Sequence, residues 1–259
     1  MNGMLNIAVR AARKAGDIIA QSCDRVDKMK VSIKSANDYV TEVDNRAEQA
    51  IIEILLKAYP DHSILAEESG SQSGNEYEWI IDPLDGTTNF VHGIPHYDVS
   101  IACRHKSKLV LGVIYDPIKQ ELFTAVRGEG AQLNNKRIRV SQRTSPQGAL
   151  YGTGIPFRDL TNLEKFINIM RDLIPDSAGI RRPGSAALDL AYVAAGRFDG
   201  FWEYGLNIWD MAAGVMLVEE AGGLIGDFRG GFDYFKDGNI IAANPKLFKH
   251  MLKVIQKHD

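Results

Sequence analysis

The stretch WIIDPLDGTTNF, residues 79–90, decides the fold of this chain. Its apolar start is typical of a buried strand. Pro83 predicts that the strand breaks there, because proline fixes φ and lacks a backbone N–H donor. Asp82 and Asp85 then stand on either side of a tight bend and can point into one space. Two carboxylates so close repel each other unless a cation lies between them, and hard oxygen ligands of this kind favour Mg²⁺.

A simple turn is the alternative interpretation of the same residues. Asp-Gly after an apolar run is an ordinary turn signal. Taken alone, a turn explains Asp85 and Gly86 as well as a metal site does. Two further acidic clusters shift the balance towards a metal site.

These two clusters lie far from the first one along the chain. The apolar run 63–66 predicts a short strand that delivers Glu67 and Glu68 at its end. Asp210 falls in the first turn of a predicted helix, where an acid is commonly just a cap or a partner of the helix dipole. Acids from three distant segments suit the hydrolysis of a phosphate monoester, a dianion that repels hydroxide. Two or more Mg²⁺ ions, each needing one or two carboxylates, would offset that repulsion.

The composition is that of an ordinary globular protein. The chain has 259 residues, of which 45% are hydrophobic and 24% charged. This length suits one large domain or two closely packed lobes. A formal net charge of -3 gives no reason to expect nucleic-acid binding over the whole surface. No apolar run is long enough to cross a bilayer, and two cysteines without metal-type or disulfide spacing point to a reducing cytoplasm.

The hydrophobic pattern predicts an α+β protein. Helices are predicted at 4–22, 43–58, 162–173, 184–195, 208–222 and 245–257. Strands are predicted at 63–66, 99–104, 109–116, 121–126, 136–141, 149–153, 199–204, 224–227 and 239–243. The strands between 99 and 141 are spaced as in an antiparallel meander, and strands and helices alternate after residue 148. This segregation favours a layered α+β fold. We expect a single catalytic domain with two packed lobes, at about 1–145 and 146–259.

Three strings resemble the signatures of the inositol monophosphatase family. They are AEES at 66–69, WIIDPLDGTTNF at 79–90 and WDMAAGVMLVEEAGG at 209–223, and RRPGSAALDLAYVAAGRFDGFWE at 181–203 fits the same family. The similarity covers essentially the whole chain and is nearest to the bacterial SuhB-type members. It implies a layered α/β/α/β/α sandwich of the inositol monophosphatase and fructose-1,6-bisphosphatase type. It also implies an Mg²⁺-dependent phosphomonoesterase acting on inositol 1-phosphate and related polyol or sugar phosphates, inhibited by Li⁺ and homodimeric.

The resemblance assigns metal ligands residue by residue. Glu67, Asp82 and the backbone carbonyl of Leu84 match the ligands of a first ion. Asp82, Asp85 and Asp210 match those of a second ion. A third, weaker ion would use Glu67 and water molecules. The resemblance therefore implies two or three Mg²⁺ ions.

Catalytic roles follow from the same resemblance. Glu67 and Thr87 would orient the attacking water, and Asp44 matches the family acid that works with Thr87. Lys34 lies in the matching lysine position. Judged from the sequence alone, Lys34 and Asp44 are better explained as a solvated surface pair.

Substrate binding is also assigned by the resemblance. The residues concerned are Leu84, Asp85, Gly86, Thr87, Arg181, Gly184, Ser185, Ala186, Glu203 and Asp210. Glycine at 86 lets the backbone approach a phosphate, and a helix starting near Thr88 would turn free N–H groups towards it. Glu203 and the turn 184–186 would contact the alcohol. A surface or dimer-interface role explains Arg181 and Arg182 equally well.

Other functions stay open at this point. A fructose-1,6-bisphosphatase or a nucleotide bisphosphate phosphatase of the same superfamily would share the metal ligands and differ at the alcohol. SuhB-type members are also associated with transcription antitermination, which implies contact with RNA polymerase and Nus factors. The basic segment 136–143 and the pair Arg181-Arg182 are the sequence features that support such a contact, and groups of four cations occur on many neutral proteins.

Overall fold

The structure is a computed structural model that describes residues 2–23, 31–35, 38–157 and 159–259, with the backbone alone at residues 2, 31–35 and 38–40. The helices of this part are α1 (Asn2–Ser22), α2 (Glu42–Ala58), α3 (Thr87–Val91), α4 (Leu163–Leu173), α5 (Ala186–Ala194), α6 (Ile208–Glu220), α7 (Tyr234–Asp237) and α8 (Pro245–Gln256). Its strands are β1 (Val31–Ser35), β2 (Asp38–Thr41), β3 (Ser63–Ala66), β4 (Gly70–Gln72), β5 (Tyr77–Asp85), β6 (Asp98–His105), β7 (Lys108–Asp116), β8 (Glu121–Val126), β9 (Gly130–Leu133), β10 (Lys136–Arg137), β11 (Ala149–Thr153), β12 (Ser177–Arg181), β13 (Gly200–Glu203), β14 (Leu224–Gly226) and β15 (Ile240–Ala243).

Two large sheets organise the described chain. The first has eight strands in the order β10-β9-β8-β7-β6-β5-β3-β4, and the second has five in the order β12-β11-β13-β15-β14. From β5 to β10, each strand pairs antiparallel with the next one along the chain, as the predicted meander requires. Parallel pairs join β3 to β5, and β11 to both β12 and β13.

Helices cover both sheets and form three hydrophobic cores. Helices α1 and α2 pack on the outer face of the eight-stranded sheet, and α5 and α6 lie between the two sheets. Helices α4 and α8 close the outer face of the five-stranded sheet. The predicted α+β fold, an α/β/α/β/α sandwich, is therefore confirmed. The division into lobes near residue 145 stays a prediction, because α5 and α6 pack against both sheets.

Small residues allow the middle layer to approach the large sheet. A Cβ atom at Gly112 of β7 would stand 2.7 Å from the backbone oxygen of Ala213 in α6. Glycine at this position thus lets the helix lie directly on the strand. Helix α1 contacts the other face through small side chains, with Ala8, Ala11, Ala12 and Ala15 fully buried. Among the described residues, no helix is both long and apolar enough to cross a membrane.

The predicted break at Pro83 is wrong. Strand β5 runs through Pro83 to Asp85, and its pairing with β6 shifts between Asp82 and Asp85. Asp82 pairs with Ser100 and Asp85 with Asp98, so β5 has one more residue than β6 between these two pairs. This extra residue makes a β-bulge. A bulge accommodates proline because the extra residue makes no ladder hydrogen bond. The bulge, rather than a strand end, separates the two aspartates.

One further predicted strand is shorter in the structure, and several short strands were not predicted. The strand predicted at 136–141 is limited to Lys136–Arg137. The hairpin of β1 and β2 and the edge strands β4 and β12 were not anticipated. These elements are short, polar or rich in glycine and serine, so they lack the apolar alternation that indicates a strand.

Candidate active site

Most of the predicted site residues meet in one cleft of about 370 Å³. Its lining includes Glu67, Asp82, Leu84, Asp85, Gly86, Thr87, Gly184, Ser185, Ala186, Glu203 and Asp210. The first six come from the end of β3 and from the β5–α3 segment, and the others from α5, β13 and α6. Three distant segments of the chain thus deliver their acids to the same cleft, as the sequence predicts.

Gly86 forms the turn between the bulged strand and helix α3. Its φ is 92°, a left-handed conformation that favours glycine. A Cβ atom here would stand 3.0 Å from the backbone oxygen of His96. Helix α3 begins at the next residue, Thr87, one residue earlier than expected. Its first backbone N–H groups have no partners within the helix, so they are available to an anion in the cleft.

The acids in the cleft are electrostatically coupled. Asp82 is buried, and its Oδ1 accepts a hydrogen bond of 3.0 Å from the N–H of Leu84. Burial raises the pKa of Asp82 well above its usual range, and the charges of Glu67, Asp85 and Asp210 raise it further. Burial and the charge of Asp85 likewise raise the pKa of Asp210. Like charges that disfavour one another in this way are stabilised by a bound cation.

The donor set suits a hard cation that retains water. The oxygens come from carboxylates and a backbone carbonyl, the ligand types that Mg²⁺ prefers. In the described part of the chain, no three Asp, Glu, His or Cys side chains are grouped closely enough to share one ion. One or two carboxylates per Mg²⁺ are sufficient when water completes the coordination, so the residues fit this ion with water as a co-ligand.

Asp44 joins helix α2 to the cleft. It is buried, which makes the surface-pair interpretation wrong for this residue. Its carboxylate accepts hydrogen bonds from the N–H of Thr41 (2.8 Å) and from the hydroxyl of Thr87 (3.2 Å). Burial raises the pKa of Asp44 to about 6. Lys34 lies in β1, and its side chain lies outside the described residues.

The alcohol end of the cleft is built by the turn before α5 and by the end of β13. Ser185 caps α5 by accepting a hydrogen bond from the N–H of Leu188. Glu203 is the last residue of β13, and a Cβ atom at Gly154 would collide with its carboxylate. Both neighbouring arginines are exposed, but Arg182 lines the cleft and Arg181, at the end of β12, does not. The structure therefore places Arg182 where the sequence predicted Arg181.

Sequence reasoning missed two buried acids beside this site. Asp189 of α5 lines the cleft, and burial together with the charge of Glu203 raises its pKa well above the usual range. Asp98 of β6 is fully buried and lies next to Ser185. Asp189 interrupts the apolar segment AALDLAYVA, and Asp98 begins the mostly apolar segment DVSIAC. A charged residue within or directly before such a segment was the available signal.

A layered sandwich whose acids converge beside a glycine turn is typical of a phosphatase superfamily. Comparison with known proteins refines this class. The model of the inositol monophosphatase family matches residues 1–259. The chain belongs to the inositol monophosphatase family.

Relatives resemble this chain over nearly their whole length. The Nus factor SuhB of Pseudomonas aeruginosa is 57% identical over 264 residues, which cover 100% of this chain and 97% of the relative. The crystal structure of the extragenic suppressor protein suhB from Bartonella henselae is 46% identical, with a TM-score of 0.97 over 99% of this chain and 100% of the other. The inositol monophosphatase from Anabaena is 35% identical, with a TM-score of 0.86 over 100% and 97% of the two chains.

Proposed function

We propose that this protein is an Mg²⁺-dependent phosphomonoesterase that hydrolyses inositol 1-phosphate or a related polyol phosphate. The observation that carries the proposal is that Glu67, Asp82, Asp85 and Asp210 line one cleft, where burial and the neighbouring charges raise the pKa of Asp82. Such a group of acids is electrostatically costly without cations and is suited to holding them. The glycine turn and the start of α3 lie in the same cleft, where they can receive a phosphate.

The ligand assignment follows the family pattern. Glu67, Asp82 and the carbonyl of Leu84 would hold one Mg²⁺. A second would draw on Asp82, Asp85 and Asp210, of which one or two carboxylates are sufficient when water completes the coordination. A third ion would rest on Glu67 and water. When bound, Mg²⁺ supplies positive charge against the phosphate and acidity to a water molecule.

The remaining roles belong to the protein's own groups. Thr87 and Glu67 orient the attacking water, and Asp44 fixes the Thr87 hydroxyl through their hydrogen bond. The N–H groups at Gly86 and Thr87 bind the phosphate oxygens. Glu203 accepts hydrogen bonds from hydroxyl groups of the alcohol, and Ser185 and Ala186 form the wall on which the alcohol lies.

The alcohol end favours an uncharged polyol over a second phosphate. Asp189 and Glu203 both line this end, and Arg182 is the one cation among the described residues that line the cleft. A second phosphate group would face these acids. We therefore favour a polyol monophosphate over fructose 1,6-bisphosphate or a nucleotide bisphosphate as substrate.

A substrate panel tests the proposal. Phosphate release is measured with Mg²⁺ for inositol 1-phosphate, glycerol 2-phosphate, fructose 1,6-bisphosphate and an adenosine bisphosphate, each with and without Li⁺. We expect the highest kcat/KM for inositol 1-phosphate, inhibition by Li⁺, and a homodimer by light scattering. No phosphate release from any ester would contradict the enzyme assignment, whereas release from the bisphosphates alone would contradict the substrate.

Transcription is a second candidate function, favoured by the name of the Pseudomonas aeruginosa relative, Nus factor SuhB, at 57% identity. A role of this kind would place the protein in the cytoplasm, in contact with RNA polymerase or Nus proteins. Arg137 and Arg139 lie on the exposed surface and offer a basic face. A pull-down with purified polymerase and Nus proteins tests it, with an Asp85→Asn variant included to separate binding from catalysis. Absence of binding at low salt would exclude this candidate.

A further inference from the structure

Asp98 is a buried acid that the proposed reaction does not use. It is the first residue of β6 and lies directly opposite Asp85 in the ladder between β5 and β6. The side chain is 0% exposed. Its Oδ2 is 2.7 Å from the hydroxyl of Ser185, and its Oδ1 has no hydrogen-bond partner among the described residues. A buried carboxyl group with so few hydrogen bonds lowers the stability of the folded protein. Its hydrogen-bond contact is with Ser185, which lines the cleft.

Ser185 connects Asp98 to Asp85. Its hydroxyl oxygen is 2.9 Å from Asp85 Oδ2 and 2.7 Å from Asp98 Oδ2, and it also accepts the N–H of Leu188 at 3.0 Å. A hydroxyl group has one hydrogen to donate, so it cannot serve both carboxyl groups. If Ser185 donates its hydrogen to Asp85, its contact with Asp98 is a hydrogen bond provided that the Asp98 carboxyl group is protonated and donates to the Ser185 oxygen. All three contacts of Ser185 are then satisfied.

The carboxylate of Asp85 is held on one side by this arrangement. Its Oδ2 accepts hydrogen bonds from the N–H of Ala187 at 2.8 Å and from the hydroxyl of Ser185. Two donors at one oxygen fix the plane of the carboxylate. The Ser185 O–H stays directed at Asp85 because Asp98 and the N–H of Leu188 contact the acceptor sites of the same oxygen.

We propose that Asp98 is a positioning residue that acts through Ser185 to orient the Asp85 carboxylate and so strengthens Mg²⁺ binding. The proposal rests on the assignment of Asp85 as a metal ligand in the proposed function. Groups that orient a metal ligand without touching the metal commonly change its affinity by about 10- to 100-fold. Asp98 never meets the substrate in this arrangement, so its effect falls on metal affinity rather than on the reacting atoms.

Three substitutions at position 98 test the proposal. Asp98→Ala and Asp98→Leu both remove the contact with Ser185, and Leu also fills the buried space should Ala fail to fold. Asp98→Asn retains a donor in the form of its amide. Mg²⁺ and Mn²⁺ binding is measured by calorimetry, and the Mg²⁺ dependence of kcat is measured alongside it. Asp199→Ala serves as the control, because Asp199 is a buried acid that contacts Arg143 and Leu150 instead.

We expect Asp98→Ala and Asp98→Leu to bind Mg²⁺ about 10-fold or more weakly, with kcat at saturating Mg²⁺ near that of wild type. Asp98→Asn and Asp199→Ala should stay within about threefold of wild type. Wild-type Mg²⁺ affinity in Asp98→Ala and Asp98→Leu would overturn the proposal. An equal loss of Mg²⁺ affinity in Asp98→Asn would also overturn it, since the loss of a negative charge at position 98 would then be the cause. Failure of the wild type to bind Mg²⁺ would instead overturn the proposed function together with this inference.

Discussion

The hydroxyl of Thr87 lies 3.2 Å from Oδ1 of Asp44, and this contact joins the first turn of α3 to the first turn of α2. The same hydroxyl is 3.0 Å from the backbone oxygen of Leu84. Asp44 in turn accepts the N–H of Thr41, the residue that caps α2. The contact thus fixes a polar group of the cleft to a helix that is rigidly packed on the large sheet.

Removing the Thr87 hydroxyl should slow catalysis more than it weakens substrate binding. We expect Thr87→Ala to lower kcat by roughly 100-fold, because a positioned proton-transfer group typically contributes at least that much. KM for inositol 1-phosphate should change little, since the backbone N–H groups that bind phosphate remain. Steady-state phosphate release measures both constants. Thr87→Ser, which keeps the hydroxyl, is the control, and equal losses in both variants would contradict the role.

Asp44 should make stability depend on pH in a definite direction. Its pKa is raised from 3.8 in the unfolded chain to about 6 in the folded protein. The folded state therefore binds the proton more tightly, so this contribution to stability is full below pH 4 and is lost as pH rises through 6. Between about pH 4 and pH 7 the loss is roughly 2 kcal/mol.

Denaturant unfolding of wild type and Asp44→Asn at both pH values isolates this contribution. The Asn variant lacks the titrating group, so its free energy of unfolding should fall less than that of wild type over the same interval. Comparing the two proteins cancels the other carboxyl groups, which titrate in both. Parallel curves for the two proteins would show that the pKa of Asp44 is not raised.

Several features of the site were predictable because they depend on local sequence. Glu67 and Asp210 each occupy the end of an apolar strand or the start of an apolar helix, and the structure brings both into the cleft. Gly86 was marked by its place between Asp85 and two threonines. Such signals lie within a few residues, so a single sequence reveals them.

Features that depend on distant contacts were not predictable. Ser185 and Asp85 are 100 residues apart, and nothing near either residue indicates that they share a hydrogen bond. The burial of Asp44 arises because α2 packs on the large sheet, whereas its own sequence reads as a polar helix start. The bulge at Pro83 likewise depends on pairing with β6. Tertiary packing decided each of these outcomes.

Substitution of a proposed metal ligand should remove activity without unfolding the protein. Asp85→Asn keeps the size of the side chain and an oxygen that can accept from Ser185 and Ala187. We expect activity to fall by more than about 100-fold, since loss of a ligand should exceed loss of an outer partner. Circular dichroism and thermal unfolding check the fold, and calorimetry checks Mg²⁺ binding. Asp172→Asn, on α4 and outside the lining of the cleft, is the control. Wild-type turnover in Asp85→Asn would refute the ligand role.

Gly154 leaves the space that Glu203 occupies, so a methyl group there should selectively impair recognition of the alcohol. The Cβ atom of alanine would collide with the Glu203 carboxylate, which must then move. We expect Gly154→Ala to raise KM for inositol 1-phosphate by roughly tenfold, equivalent to about 1.4 kcal/mol of lost binding. Rates with p-nitrophenyl phosphate should hardly change, because that ester offers no hydroxyl groups to Glu203.

Two further variants make this last prediction specific. Gly3→Ala lies in α1, where a Cβ atom has ordinary contact with Tyr59 at 3.6 Å, and it should leave both substrates unaffected. Glu203→Gln should reproduce the selective loss seen in Gly154→Ala, because it weakens the same acceptor without crowding. If Gly154→Ala instead lowered the rates for both esters equally, the collision would be disturbing the whole cleft. Equal losses for both esters in Glu203→Gln would contradict the role of Glu203 in binding the alcohol.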